Sequence, residues 1–235
     1  SETTKNMNLL SFLNSIDNAI NNENVRGIVL DMNNFISPGA ASSKEIRDAL
    51  NNFKKSGKFI YSYSTVYSQG AYYIASVADS VFVYPTGIVS FEGISSTTTF
   101  FKNSLEEIGI KPEVIRHGKF KAAVEPFLDN KMSDENKKQV SEIISDLWSV
   151  MTKDISISRN IDISKLNEIA NNMTLTLQSN EIIDYGLVDA AIYPEDFELL
   201  ISEKLGVDKN ETEYISLNLL DESYKKSKNE IAVIY

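Results

Sequence analysis

A short apolar run, Gly27 to Met32, and two further strand-like stretches, Lys58 to Tyr63 and Ser80 to Tyr84, recur in the first 84 residues, and stretches of helical periodicity separate them. A strand with one wet face alternates apolar and polar residues, whereas a strand covered on both faces reads as a continuous apolar run. The first run therefore predicts a doubly covered strand. Strand, turn, helix and strand in repeated succession leave an α/β fold with a mostly parallel sheet as the architecture these residues can build.

The intervening segments carry their own signals. Leu9, Leu10, Phe12, Leu13, Ile16, Ala19 and Ile20 fall at helical spacing and end in an asparagine-rich turn at residues 21–24. Residues 33–39 form a loop at the carboxyl end of the first strand, where sites gather in open α/β sheets. Ser42 with Glu45 three residues later predicts a capping box that opens a helix through Ile46, Leu50 and Phe53. A further helix is expected over 70–78. Pro85-Thr86-Gly87 reads as a turn into a short extended piece, Ile88 to Phe91. Thr97 to Ile108 reads as a helix, and Lys111 to Arg116 as a strand that delivers the chain to Gly118.

From Ser133 onward the pattern is helical. Ser133 predicts an N-cap, Asp134 and Glu135 suit the positive end of the helix dipole, and Val140, Ile143, Ile144, Leu147, Trp148 and Met151 form an inner stripe. Helices over 162–171 and 194–205 follow. After Gly206 the composition turns polar, which predicts a connector over 207–230 before the apolar run Ile231-Ala232-Val233-Ile234-Tyr235.

Composition narrows the function classes. A chain of 235 residues with 42% apolar and 24% charged side chains is ordinary globular material. Its net charge of −10 and its lack of any long basic run argue against a nucleic-acid footprint. No cysteine means no thiol nucleophile and no thiolate metal site, and His117 as the single histidine excludes a His-rich metal cluster. Asp31 and Asp79 lack metal-ligand spacing, and no glycine-rich phosphate loop or other cofactor fingerprint appears. No apolar run approaches the ~20 residues of a membrane span. The opening residues Ser1 to Asn6 lack the apolar core of a secretory leader.

The chemistry-bearing stretch is Gly118-Lys119-Phe120-Lys121-Ala122-Ala123-Val124-Glu125-Pro126-Phe127. Lys121 sits there beside two alanines, with no carboxylate nearer in sequence than Glu125. If the segment folds inward, burial without an adjacent counter-ion disfavours its charged form. A lysine held neutral takes a proton from a hydroxyl, which permits acyl transfer without histidine.

This stretch resembles the signature around the general-base lysine of the long-form signal peptide peptidase A (protease IV) family, with Lys121 at the base position. Val25 to Met32, Tyr67-Ser68-Gln69-Gly70-Ala71-Tyr72-Tyr73, Ala78 to Val83 and Gly186-Leu187-Val188-Asp189 fall in that family's order with similar gaps. The likeness spans roughly residues 8 to 195. It implies a ClpP/crotonase-like superfold of repeated β-β-α units with a helical C-terminal portion. It also implies a serine–lysine peptidase of two repeats acting on cleaved signal peptides, with no cofactor.

On that resemblance residues 1–206 are an N-terminal repeat whose own beginning is missing, 207–230 the connector, and 231–235 the first strand of a second repeat that supplies the serine. The nucleophile's turn in that second repeat is Ala-Ser-Gly-Gly-Tyr-like. Here the corresponding turn reads Ser68-Gln69-Gly70-Ala71-Tyr72, so Gln69 stands in the nucleophile's place and this chain alone is expected to be inactive. Ser68, one residue out of register, suits a cap. Gly70 and Gly39 invite an oxyanion-hole reading, although turn geometry is their commoner use. Glu125 is read as a hydrogen-bonding organiser of the segment after Lys121. His117 is read as a solvent-exposed strand-end residue and Lys119 as solvated.

The resemblance further implies a homo-oligomer, a tetramer in the full-length form, held at the bacterial inner membrane on its extracytoplasmic side by an anchor outside these residues. Its partners are then peptide substrates and its own C-terminal repeat, with no nucleic acid. Competing readings of the same fold are a non-catalytic assembly module and an acyl-CoA-binding crotonase-type enzyme, since fold alone does not fix function.

Overall fold

The computed structural model describes residues 8–115, 118, 121–172 and 179–220. Readings that concern Arg116, His117, Lys119, Phe120 and residues 221–235 lie outside the described residues. The alternation seen in sequence closes into one four-stranded sheet, all parallel.

Helix α1 (Leu9–Asn21) begins at Asn8, whose side chain accepts from the Ser11 N–H, and leads to β1 (Gly27–Asp31). Helix α2 (Ala40–Lys54) starts earlier than the expected capping box. Gly39, with φ +99°, is its N-cap, and Ser43 is buried in the first turn with its Oγ 3.0 Å from Ser37 Oγ. Ser42, the expected cap, therefore already lies within the first turn of the helix and cannot cap it. Leu50 and Phe53 on the inner stripe of α2 are fully buried. Burial on that scale stabilises by roughly 1.5–3 kcal/mol per side chain.

Strand β2 (Phe59–Tyr67), helix α3 (Gln69–Ala75) and strand β3 (Ser80–Val89) complete the central unit. The expected turn at residues 85–87 does not break β3. Instead the β2–β3 register shifts between Ser64 and Val66, and both strands continue through the pairs Val66–Ile88 and Tyr67–Val89. The second strand segment of each β-β-α unit is thus a continuation of the first beyond an irregularity. Gly87 permits it: a Cβ there would lie 2.6 Å from the Thr65 carbonyl oxygen.

Beyond β3 come α4 (Lys102–Glu107), α5 (Glu125–Leu128), the long α6 (Asp134–Arg159), α7 (Ile163–Asn171), α8 (Ser179–Asp184), the two-residue β4 (Ala190–Ala191) and α9 (Pro194–Leu205). The predicted Thr97 to Ile108 helix shortens to α4, and residues 111–115 are not a strand. Ser133 caps α6 as expected, its Oγ accepting from the Asn136 N–H at 3.2 Å.

The α6 stripe divides. Thr152 and Ile155 are buried and Trp148 and Met151 pack on the core, whereas Ile143 is 53% exposed and Leu147 39%. The core reaches only the C-terminal half of this helix. Strand β1 also departs from the doubly covered reading, because it is the sheet edge and its side chains are only half-buried. Residues past Gly206 include short 3-10 turns at Lys209–Glu211 and Leu217–Leu220, and the latter returns to α1, where Asn18 Nδ2 donates to the Leu220 carbonyl at 2.7 Å.

Two aspartates register the strands. The Asp79 carboxylate, just before β3, accepts from the Ile60 N–H of β2 at 2.8 Å. Asp189, just before β4, accepts from the Val81 N–H of β3 at 2.6 Å and is held in a two-point pair by Arg159 at 2.8 and 3.0 Å. Each carboxylate satisfies a backbone donor that lies just before the first ladder pair with the following strand.

Candidate functional site

Strand β2 delivers the chain to the Ser68 turn. Ser68 is exposed, with extended backbone, and its Oγ accepts from the Ala71 N–H at 3.3 Å as the N-cap of α3. Gln69 is fastened to the chain beyond β3. Its Oε1 accepts from the Glu92 and Gly93 N–H groups at 2.9 and 3.0 Å, and its Nε2 donates to the Gly93 carbonyl at 2.9 Å. The side-chain amide here behaves like a peptide group, donating and accepting against consecutive backbone positions.

Gly70 packs where no side chain fits. A Cβ there would lie 2.6 Å from Ser37 Cβ, so the 33–39 loop and the Ser68 turn meet at van der Waals contact. Gly39 is needed for its positive φ, with open space around the missing Cβ. Tyr72 and Tyr73 root α3 from below. Tyr72 donates to the Leu187 carbonyl at 2.7 Å, and Tyr73 donates to Asp154 Oδ2 at 2.6 Å. Burial pushes both phenols well above the usual tyrosine range, Tyr73 also through its carboxylate partner.

The Lys121 segment is held differently. Lys121 is exposed and lies four residues before Glu125, the first residue of α5. Glu125 is 2% exposed, and its carboxylate accepts from Ser133 Oγ at 2.5 Å, the Ser133 N–H at 3.2 Å and Asn136 Nδ2 at 2.9 Å. One acidic side chain thus clamps α5 to the capped end of α6. The Phe101 N–H donates to the Pro126 carbonyl at 2.7 Å and the Phe101 ring stacks on Phe127, closing α4 and α5 into an arm.

Helix α6 relates the two parts. Its first turn holds Glu125, while Trp148, about 22 Å further along the axis at 1.5 Å per residue, packs on Phe91, which in turn packs on Tyr72 of α3. The Ser68 turn and the Lys121 segment are fastened toward different parts of this helix. Lys121 itself is exposed.

One residue of this framework was missed in sequence. Arg47 of α2 is fully buried and donates to the Tyr73 carbonyl, to Ser76 Oγ at 2.8 Å, to the Asp154 carbonyl at 2.9 Å and to Ser158 Oγ at 2.6 Å. Desolvation lowers its pKa, and the nearby Tyr73 and Asp154 oppose that shift. The signal was present: Arg47 stands on the apolar stripe of Ser43, Ile46, Leu50 and Phe53, where a solvated arginine does not belong.

Comparison with known proteins bears on what these parts belong to. The model of Peptidase family S49 matches residues 52–208, which take in the Ser68 turn, Lys121 and Glu125. Protease 4 of Salmonella typhi is 32% identical over 223 residues, covering 92% of this chain and 36% of that protein. Protease 4 of Haemophilus influenzae is 35% identical over 147 residues, 63% of this chain and 24% of that protein. The chloroplastic serine protease SPPA of Arabidopsis thaliana is 26% identical over 175 residues, 74% of this chain and 26% of that protein. The chain therefore spans about a third or less of the length of these relatives. A solved peptidase structure from Plasmodium falciparum overlaps 79% of this chain and 87% of its own at TM-score 0.45 and 12% identity, a likeness too slight to argue from. With two thirds of its length inside the family match, this chain belongs to peptidase family S49, the signal peptide peptidase A (protease IV) family.

Proposed function

We propose that this chain is the base-donating repeat of a serine–lysine endopeptidase that degrades cleaved signal peptides, with the nucleophilic serine carried by a second repeat. The observation that carries the proposal is the state of the Ser68-Gln69 turn. Gln69 has no nucleophilic atom and is tied to Glu92 and Gly93, while the Ser68 hydroxyl caps α3. Neither residue serves as an acyl acceptor in this repeat. Lys121 stands on a segment whose far end is clamped by Glu125, presented outward, which suits a base that acts on a group brought from elsewhere.

In the assembled enzyme the second repeat covers Lys121 and removes water from it, which favours the neutral amine. As the serine oxygen attacks the scissile carbonyl carbon, the amine takes the hydroxyl proton. The resulting ammonium then protonates the leaving amine as the C–N bond breaks. Water then attacks the ester carbon while Lys121 accepts its proton, and the ammonium returns that proton to the serine oxygen as the ester C–O bond breaks. Glu125 acts as a positioning residue for the Lys121 segment.

The remaining parts of the proposal follow the family. They are a second repeat beginning near Ile231, a homo-oligomer, and attachment at the extracytoplasmic face of the bacterial inner membrane through an anchor outside these residues. No helix among the described residues is long and apolar enough to cross a membrane. The outward-facing Ile143, Leu147 and Val150 of α6 favour a second reading, an assembly module without catalysis.

The experiment is a peptidase assay on a short apolar signal-peptide sequence, run on this chain alone and on a longer polypeptide that joins it to a serine-bearing repeat. The chain alone is expected to be inactive. In the longer protein Lys121→Ala should abolish turnover and Ser68→Ala should leave it within about twofold. Turnover that survives Lys121→Ala refutes the base assignment and leaves the assembly reading.

A further inference from the structure

The carboxamide of Gln69 sits against the backbone of residues 92–93 as a guest sits in a receptor. Its Oε1 accepts from the Glu92 N–H at 2.9 Å and the Gly93 N–H at 3.0 Å, and its Nε2 donates to the Gly93 carbonyl at 2.9 Å. Two consecutive backbone N–H groups aimed at one oxygen make a nest, an arrangement that holds an oxygen ligand. The Gly93 carbonyl beside the nest accepts from the same guest. Gly93 thus exchanges both of its backbone bonds with one amide, as a residue does with its hydrogen-bonded partner in an antiparallel ladder.

The receptor is anchored from the sheet. Just before it the Ser90 N–H donates to the Tyr67 carbonyl at 2.8 Å, and Phe91, fully buried, packs on Tyr72 and Trp148. On the other side there is room. Gly93 has φ +86°, and no described atom lies within 4 Å of the place a Cβ would take.

We infer that residues 92–93 are a peptide-binding position that Gln69 occupies from within. The guest that matches two donors and one acceptor is an extended backbone residue, which shows a carbonyl oxygen and an N–H on one side. Gln69 offers the same two groups on a single carboxamide. A carboxylate fits less well, because it has no proton for the Gly93 carbonyl. The consequence rests on the peptidase reading: the turn that lacks a nucleophile is also shut to peptide, so substrate is not held where it cannot be cut. The occupied position itself does not depend on Lys121.

The test uses the full chain and reads the Glu92 and Gly93 amide protons by nuclear magnetic resonance. Asp79, whose N–H donates to the Ile60 carbonyl at 2.8 Å, serves as the control for the fold. Three probes are added in turn: N-acetyl-trialanine N-methylamide, acetamide as the minimal guest, and N,N-dimethylacetamide, which has the oxygen but no N–H. In the parent none of them should move Glu92 or Gly93. In Gln69→Ala the first two should give a saturable shift at both amides and slow their exchange about threefold, with Asp79 unchanged and no such response to dimethylacetamide. Gln69→Ser supplies the same readout if alanine disturbs α3. Shifts of equal size in the parent mean that Gln69 occupies no binding position, and this overturns the proposal. So does silence from both variants, or an equal response to dimethylacetamide, since Gln69 is then a loop staple and nothing more. No turnover is read, so failure of the Lys121 assignment leaves these outcomes unchanged.

Discussion

Truncating Glu125 tests whether one buried carboxylate holds the Lys121 segment to α6. Glu125→Ala removes an acceptor shared by Ser133 Oγ, the Ser133 N–H and Asn136 Nδ2. Hydrogen bonds to a charged group are worth about 1.5–3 kcal/mol each, but the three are not additive, since Ser133 and Asn136 are half-buried and water reaches them once the carboxylate has gone. The side chain's own desolvation cost is also recovered. A net loss of about 2–4 kcal/mol remains.

Glu125→Gln separates charge from geometry. Its carbonyl oxygen can take the Oε2 place and accept from the Ser133 N–H and Asn136 Nδ2, while its NH₂ donates to Ser133 Oγ, which already accepts from the Asn136 N–H. The Ser133 hydroxyl proton turns to water, which reaches this half-buried residue, so the loss is mainly of charge assistance, about 1 kcal/mol. Because the clamp is local, the sensitive readout is hydrogen exchange in the first turn of α6, alongside urea unfolding. Glu125→Ala should speed exchange at Lys137, whose N–H bonds the Ser133 carbonyl at 2.8 Å, by about thirtyfold to several hundredfold, and Glu125→Gln by less than tenfold. An alanine variant that exchanges like the parent, or a glutamine variant as fast as the alanine one, refutes the hydrogen-bonded clamp.

Other substitutions probe the Ser68 turn and the chain's end. Gln69→Ala should cost about 1–2 kcal/mol and speed exchange of the Glu92 and Gly93 amides, since it deletes both of their acceptor bonds; unchanged exchange refutes the staple. Gly70→Ala forces its Cβ onto Ser37 and should destabilise by about 1–3 kcal/mol in thermal unfolding, with Ser37→Gly restoring most of the loss. The Tyr214 phenol, on an exposed residue and donating to Glu198 at 3.0 Å, should titrate near 12 rather than 10 by its ultraviolet absorbance through partial desolvation and its carboxylate partner, and Glu198→Gln should lower that value. Its folded pKa lies above the unfolded one, so the associated stability is present below pH 10 and is lost as pH rises from 10 through about 12.

The parallel sheet and the helices over 163–171 and 194–205 were legible because their signals are local: an unbroken apolar run, a 3.6-residue stripe and a cap reside in neighbouring residues. What stayed illegible depends on groups distant in sequence. The capping box at Ser42 failed because Gly39, at positive φ, starts the helix three residues earlier, and Ser43 in its first turn meets Ser37 across the 33–39 loop. The α6 stripe was read as one face, but the core meets only its C-terminal half. Gln69 was recognised as a residue unable to attack a carbonyl, while its bonds to Glu92 and Gly93, more than twenty residues away, have no trace in the turn itself. Asp79 was set aside as a metal ligand and Asp189 was read only as part of the Gly186 to Asp189 tail, and pairing each with a donor on an earlier strand needed the sheet order.

Lys121 shows the same dependence in its sharpest form, because the protonation state of an amine belongs to its surroundings. Two alanines and a valine beside it in sequence suggest an apolar setting, yet the described chain leaves the lysine exposed. Apolar neighbours on an outward segment do not desolvate an amine. They make a patch that a second surface can cover. If the proposed base assignment holds, Ala122, Ala123 and Val124 form the contact face for whatever brings the serine. Lys121 should accordingly react faster with an amine-selective acylating reagent in this chain than in the joined protein, where docking shields it. Equal labelling in both states refutes activation by burial.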